Sequence, residues 1–424
     1  MENGRAYTSR LIDVLIERKL QASGGILLRG PRAVGKTTTA LHHANSFIRL
    51  DASEQILTQA IFAPKTLLLG DTPRLIDEWQ LAPGIWNAAR HEIDVRALPG
   101  QFILTGSAAP SEDKTRHTGA GRFSRLTLRP MTLCESNEST EQVDFAALFS
   151  KDAKLSGFGG PTVEDYAEKI VRGGWPALIG FSPAIASEAL IDYIENIASV
   201  DLRTLDSPPD PVRMATLMRI VARNTSTEAS LEKLAAESEI FYGSLRAPTV
   251  RKYLDQLTRI FVVEELPAWR THIRSAVQAR VKPKWHYTDP SLAAAALRIS
   301  PNALLADLNT MGLFFESLAI RDLRVYAECA GAKVFHYRDS TNLEIDAIIE
   351  RFDESWIAVE IKLGGEAAIR EAVSNFDKLK NRLTERRREN LISCCVITAG
   401  ENSYTRPDGV HVVALGHLSG RIRA

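Results

Sequence analysis

The chain has 424 residues, too many for one ordinary domain at roughly 100–200 residues each. Hydrophobic residues make up 45% and charged residues 25%, a globular balance that excludes wholesale disorder. Lysine and arginine together equal aspartate and glutamate, 52 against 52, so the chain is no polycation and any nucleic-acid contact must come from a local basic patch. In chain order, Leu11, Ile12, Leu15 and Leu20 recur at helical spacing, and Gly24-Gly25 ends that helix. Short apolar runs follow at 26–28, 47–50, 75–76, 102–104 and 126–128, with helical segments between them. Strands alternating with helices predict an α/β unit whose parallel sheet is covered on both faces. From about 165 to 265 the pattern turns helical, and its last three helices, with the apolar pairs of 262–266, predict a winged helix-turn-helix. Beyond a basic stretch, 270–284, the order becomes helix (312–327), three strands (334–337, 343–349, 356–361), helix (366–379) and two strands (391–397, 410–415).

Two sites stand out. Gly30-Pro31-Arg32-Ala33-Val34-Gly35-Lys36-Thr37 fits G-x-x-x-x-G-K-[ST], after an expected strand and before an expected helix that opens at Thr38. Such a loop turns backbone N–H groups onto phosphates, and the helix N-terminus adds its positive end. Lys36 would bridge the β- and γ-phosphates of ATP, and Thr37 would hold Mg²⁺. Arg74-Leu75-Ile76-Asp77-Glu78 is a strand ending in two carboxylates. Asp77 would bind the Mg²⁺, directly or through water, and Glu78 would polarise the attacking water. Phe102-Ile103-Leu104-Thr105-Gly106-Ser107 is another strand running into small polar residues, of which Ser107 or Thr105 could sense the γ-phosphate. Arg122 could act as an arginine finger, within one chain or between subunits of a homo-oligomer.

The match of Ile76-Asp77-Glu78-Trp79-Gln80, Leu104-Thr105-Gly106-Ser107, Gly121-Arg122 and Leu128-Arg129-Pro130 resembles prokaryotic AAA-type ATPases. In that family the ATPase is followed by a C-terminal domain of unknown function, and Gly173-Gly174-Trp175-Pro176 resembles the element joining the two. The resemblance covers nearly the whole chain and implies ATP binding and hydrolysis, without supplying a substrate.

The second site lies near the C-terminus. Asp346 and Glu360 each interrupt an apolar strand, and period-two alternation puts Glu360 and Lys362 on one face. With Glu316 on the preceding helix, the pattern resembles the PD-(D/E)xK nuclease fold. It implies Glu316, Asp346 and Glu360 as Mg²⁺ ligands and Lys362 as the residue that positions water. Glu344-Ile345-Asp346 replaces that family's short Pro-Asp spelling, which weakens the inference of cleavage, and Glu344 is a further ligand or a surface charge. Arg251 and Lys252, early in the last of the three helices, could meet DNA or RNA, as could Arg280 and Lys282 in the basic stretch. A second run, Lys378 to Arg388, is an alternative contact or a solvated face.

These elements divide the chain into a P-loop domain (1–135), a linker (136–164), a helical region with a winged helix (165–270), a basic linker (271–285) and a nuclease-like α/β domain (286–424). The expected function is a Mg²⁺-dependent ATPase whose nucleotide cycle controls the nuclease-like domain on nucleic acid. The alternative is a nucleotide-switched DNA- or protein-binding module with an inactive nuclease fold. Cys134, Cys329, Cys394 and Cys395 show no CxxC spacing, which fits a reducing compartment. No signal-peptide core or uncharged apolar run of ~20 residues is evident, so a cytoplasmic protein away from membranes is expected.

Overall fold

The structure is a computed structural model that describes residues 7–106, 119–199, 209–242, 245–270 and 282–421. It resolves into two compact units, one of residues 1–129 with 257–262 and one of residues 130–256 with 263–424.

The first unit runs α1 (Asp13–Ala22), β1 (Gly25–Arg29), α2 (Lys36–His43), β2 (Ser46–Arg49), α3 (Glu54–Phe62), β3 (Arg74–Asp77), α4 (Gly84–Arg96), β4 (Phe102–Gly106) and β5 (Phe123–Thr127). All five strands are parallel, in the order β2-β3-β4-β1-β5. β1 and β4 are buried at nearly every position, as a parallel sheet covered on both faces requires. Trp79 and Trp86 pack with Leu27, Ile76, Phe102 and Leu104. Trp86 stacks on Phe123 with ring centroids 4.6 Å apart, and burial of aromatics this large dominates such a core. The strand order sets β4 between β1 and β3, so the loops leaving these three strands lie side by side at their C-terminal ends. Ligands of open α/β sheets bind outside those carboxyl ends.

The second unit begins with β6 (Val143–Asp144), β7 (Ser156–Phe158), α5 (Val163–Arg172) and α6 (Pro183–Ser199). The expected trio of helices follows as α7 (Pro211–Arg223), α8 (Leu231–Tyr242) and α9 (Ala247–Arg259), then an antiparallel pair, β8 (Val263–Leu266) and β9 (Lys284–Tyr287). Next come α10 (Pro290–Leu297), α11 (Pro301–Ala306), the long α12 (Leu308–Cys329), β10 (Ala332–Arg338), β11 (Glu344–Arg351), β12 (Trp356–Lys362), α13 (Glu366–Arg382) and α14 (Glu385–Glu389). The chain closes with β13 (Leu391–Thr398), β14 (Asn402–Thr405), β15 (His411–Ala414) and β16 (Leu418–Ser419). A mixed seven-stranded sheet has the order β10-β11-β12-β13-β15-β14-β7. Ile345, Ile348, Trp356, Ala358 and Val396 of its central strands pack against Ala372, Phe376 and Leu379 of α13.

Residues 136–164, expected as a linker, are built into this unit instead. β7 pairs with β14 at the sheet edge and β6 pairs with β16. The polar run that suggested a linker is consumed by local partners. Thr140 N donates to Gly416 O at 2.7 Å, and Arg421 lies 3.1 Å from the Glu141 carboxylate. The element at Gly173-Gly174-Trp175 is pinned for a steric reason. A Cβ on Gly174 would stand 2.1 Å from Met131 O, and one on Gly173 2.2 Å from Ser291 Oγ. Lys284, expected within the basic linker, lies on β9, where all four residues are buried.

Candidate functional site

The loop between β1 and α2 passes through left-handed backbone at two positions. Gly35 has φ 96° and Ala33 φ 59°, and a Cβ on Gly30 would stand 2.2 Å from Leu128 O. Lys36, the first residue of α2, is buried and turns back on the loop. Its Nζ donates to Gly30 O at 3.0 Å and Pro31 O at 2.7 Å. Burial lowers the Lys36 ammonium to about 8, although Glu78 and Asp77 oppose the shift.

Thr37 faces β3. Its Oγ1 lies 3.0 and 2.9 Å from the two Asp77 carboxylate oxygens. Thr105 at the end of β4 also donates to Asp77, and Arg49 Nε lies 3.8 Å from Asp77 Oδ2. Asp77 is 2% exposed, so these donors replace the water it has lost. Thr105 therefore acts on Asp77. Glu78 is in the left-handed region, φ 56°. Gln80 donates its amide to the Glu78 carboxylate. Burial, with the Asp77 charge beside it, raises the Glu78 carboxyl despite the Gln80 hydrogen bond. Such a carboxyl gains basicity, which suits a group that takes a proton from water. A hydroxyl and a carboxylate within hydrogen-bond reach form an oxygen-only donor set, which suits Mg²⁺ held together with phosphate oxygens. Lys36 thus lies on the loop, Thr37 on Asp77, and Glu78 next to Asp77 in the chain. Thr38 follows on α2, and Pro31, Arg32 and Val34 lie in the loop.

One further candidate of this region has a partner of its own. Arg122 Nε lies 2.8 Å from Asp94 Oδ1, with its side chain 44% exposed. Ser107 lies outside the described residues. Arg10 was not apparent from the sequence: its guanidinium donates to Val34 O at 3.1 Å and Arg129 O at 2.7 Å, holding the loop from the N-terminal side. A lone arginine in a helical pattern carries no signal of such a role.

In the second unit Asp346, Glu360 and Lys362 lie together. Lys362 Nζ lies 3.0 Å from Asp346 Oδ2 and 2.7 Å from Glu360 Oε2. Ile361 N donates to Asp346 Oδ2 at 2.7 Å, and Asn375 Nδ2 to Glu360 Oε1 at 3.1 Å. Glu316 enters the cluster through Lys284, which the sequence placed in the basic stretch and not at this site. Lys284 Nζ lies 2.9 Å from Glu316 Oε1, 2.6 Å from Glu344 Oε1 and 3.9 Å from Asp346 Oδ1. Burial and the Asp346 charge raise Glu360. Burial also raises Glu316, against the pull of Lys284. Asp346 is held low, because the two lysines and the Ile361 N–H outweigh its burial.

The expected Mg²⁺ site at Glu316, Asp346 and Glu360 does not fit this arrangement. Among the described residues no three His, Cys, Asp or Glu side chains are placed to hold a metal ion. N–H donors already engage one oxygen of Glu316, one of Asp346 and both of Glu360.

The basic candidates for nucleic acid are largely paired. Arg251 lies 3.0 Å from Asp255 and 3.4 Å from Glu265, and Lys282 3.9 Å from Glu232. Lys252 is on α9, and Arg280 lies outside the described residues. In the later run Arg382 pairs with Asp339, Arg386 with Glu354 at 2.6 Å, and Arg387 with Glu350.

Comparison with known proteins divides the chain in three. Residues 23–137 match the AAA domain family. Residues 163–303 match a domain of unknown function, DUF8612, and residues 311–418 another, DUF4143. The uncharacterized proteins Rv2008c of Mycobacterium tuberculosis and Mb2031c of Mycobacterium bovis are each 25% identical over 360 residues, 81% of this chain and 74% of theirs. Among solved structures, the Walker-type ATPase PABY2304 of Pyrococcus abyssi aligns with 70% of this chain and 99% of its own, at 15% identity and a TM-score of 0.43. No helix among the described residues is long and apolar enough to cross a membrane.

Proposed function

We propose that the first unit binds ATP with Mg²⁺ and hydrolyses it. One observation carries this: Lys36, Thr37, Asp77 and Glu78, from two strand ends separated by β4, are brought to one point beside a loop open to phosphate by its glycines. In the resting loop the Lys36 ammonium is spent on the Gly30 and Pro31 carbonyls, and in the complex it turns to the β- and γ-phosphates. Thr37 and Asp77 would hold the Mg²⁺, which when bound would offset the phosphate charge. Asp77 keeps its orientation through Thr105. Glu78 accepts the proton of the attacking water once Gln80 releases it. Arg122 at the exposed edge is the residue a neighbouring copy would receive in a homo-oligomer.

The test is ATP turnover by the purified chain with and without Mg²⁺. Lys36→Ala should lose turnover with an unchanged circular dichroism spectrum. Glu78→Gln should keep nucleotide binding and lose hydrolysis. Turnover that survives in Lys36→Ala refutes the assignment.

For the second unit we favour the binding module over the nuclease. The paired state of the acidic cluster supports that choice, and DNA, RNA or protein remain the partners to assay. Plasmid cleavage with Mg²⁺ or Mn²⁺ that disappears in both Asp346→Ala and Lys362→Ala would reverse it.

A further inference from the structure

We propose that Lys284 is a resident counter-cation, whose ammonium stands where the acidic cluster of the C-terminal domain would otherwise take a divalent metal. The inference deepens the binding-module reading of the second unit and is independent of ATP hydrolysis in the first.

Three acids from two elements, Glu316 of α12 and Glu344 and Asp346 of β11, point oxygens at the one Lys284 nitrogen, at 2.9, 2.6 and 3.9 Å. A convergence of carboxylates from a helix and a strand on one point is how a protein builds a cation site. Here the point is filled by a nitrogen at hydrogen-bond distance from two of them, so a metal and the ammonium cannot share it. The other side of the cluster is closed as well. Asp346 Oδ2 takes Lys362 and the Ile361 N–H, and the two Glu360 oxygens take Lys362 and Asn375. Lysine donates three hydrogen bonds and accepts none, so it satisfies acids without creating a Lewis-acid centre.

The lysine comes from a different part of the chain than the acids. It lies on β9, within the segment matched by DUF8612, whereas all four acids lie within the segment matched by DUF4143. β9 is fixed in place. Ser226 N donates to Trp285 O at 3.1 Å, the Tyr287 hydroxyl donates to Met218 O at 2.6 Å, and Lys284 pairs in register with Leu266. Lys284 itself is 1% exposed, so its ammonium has no water to turn to and is held by the acids around it.

The test is Mn²⁺ binding to the full, nucleotide-free chain, followed by the electron paramagnetic resonance of free Mn²⁺. Each variant is compared with its Asp346→Asn counterpart, so that ions held elsewhere cancel. Wild type should show no Asp346-dependent site tighter than about 1 mM. Lys284→Ala should gain one at least about tenfold tighter, lost again in Lys284→Ala/Asp346→Asn, and its melting temperature should rise with Mn²⁺ while that of wild type does not. An Asp346-dependent site in wild type overturns the proposal. So does a folded Lys284→Ala that gains no site. If Lys284→Ala does not fold, Lys284→Gln, which removes the charge and keeps an amide donor, takes its place, and the wild-type measurement stands by itself.

Discussion

Lys36 shows how much a single side chain can be asked to do. Its ammonium is buried against the loop carbonyls and lowered to about 8, so near neutral pH it is charged, though held less firmly than an exposed lysine. A triphosphate binds the charged form, and ATP affinity should therefore fall as the pH rises through about 8. Between that pH and the lysine's value in the complex, binding should take up a proton. Calorimetry in buffers of different ionisation enthalpy measures that uptake directly, and an affinity flat from pH 7 to 9.5 would contradict it. Truncation to Lys36→Ala should cost turnover by a factor on the order of 10² or more, the scale of losing one charge-stabilising donor at a reacting phosphate.

Gln80 and Gly106 couple at the scale of elements. A Cβ on Gly106 would stand 2.3 Å from Gln80 Oε1 and 3.2 Å from Trp79 Nε1. Gly106→Ala must therefore displace the amide that holds Glu78. The expected outcome is a loss of hydrolysis with ATP affinity retained, read as a fall in kcat without a matching rise in nucleotide Kd. An equal effect on both would place the damage in the P-loop itself. Much of this unit was legible along the chain, because a phosphate loop is local chemistry in which glycine spacing, strand and helix are contiguous. Asp77 and Glu78 were legible too, since carboxylates closing an apolar strand are costly unless used. Gln80 and Arg10 were not, because what they touch depends on how β4 and the N-terminal segment fold over the loop.

Over the whole molecule, the second unit is held by a buried ion network that crosses distant segments. Arg321 of α12 lies 2.8 Å from Asp289 and 2.6 Å from Asp322. Asp289 in turn accepts from Gly174 N at 3.1 Å, and Asp322 from Leu133 N at 3.0 Å. Removing one partner leaves buried, uncompensated charge. Arg321→Met should destabilise this unit by about 3–5 kcal/mol, measured by urea denaturation. Burial raises Asp322 to about 6, against Arg321 and the Leu133 N–H. Its folded value exceeds the ordinary carboxylate value, so its contribution is complete at low pH and is lost as the pH rises through about 6. Asp322→Asn, which keeps an acceptor for Leu133, should flatten the stability profile between about pH 4 and 6. An unchanged slope would exclude this carboxyl as its source.

The sequence by itself determined the P-loop, the acidic end of β3, the succession of strands and helices in the C-terminal part, and the convergence of Asp346, Glu360 and Lys362 on adjacent strands. Each follows from spacing within one or two elements, where period and residue type suffice. Only the tertiary structure decided that residues 136–164 complete a sheet, that Arg251, Lys282, Arg382, Arg386 and Arg387 pair with acids, and that Lys284 sits among Glu316, Glu344 and Asp346. The reason is that a charge's role is set by its neighbours in space. Lys284 and its acids are separated by 32 to 62 positions along the chain, so packing alone brings them to hydrogen-bond distance.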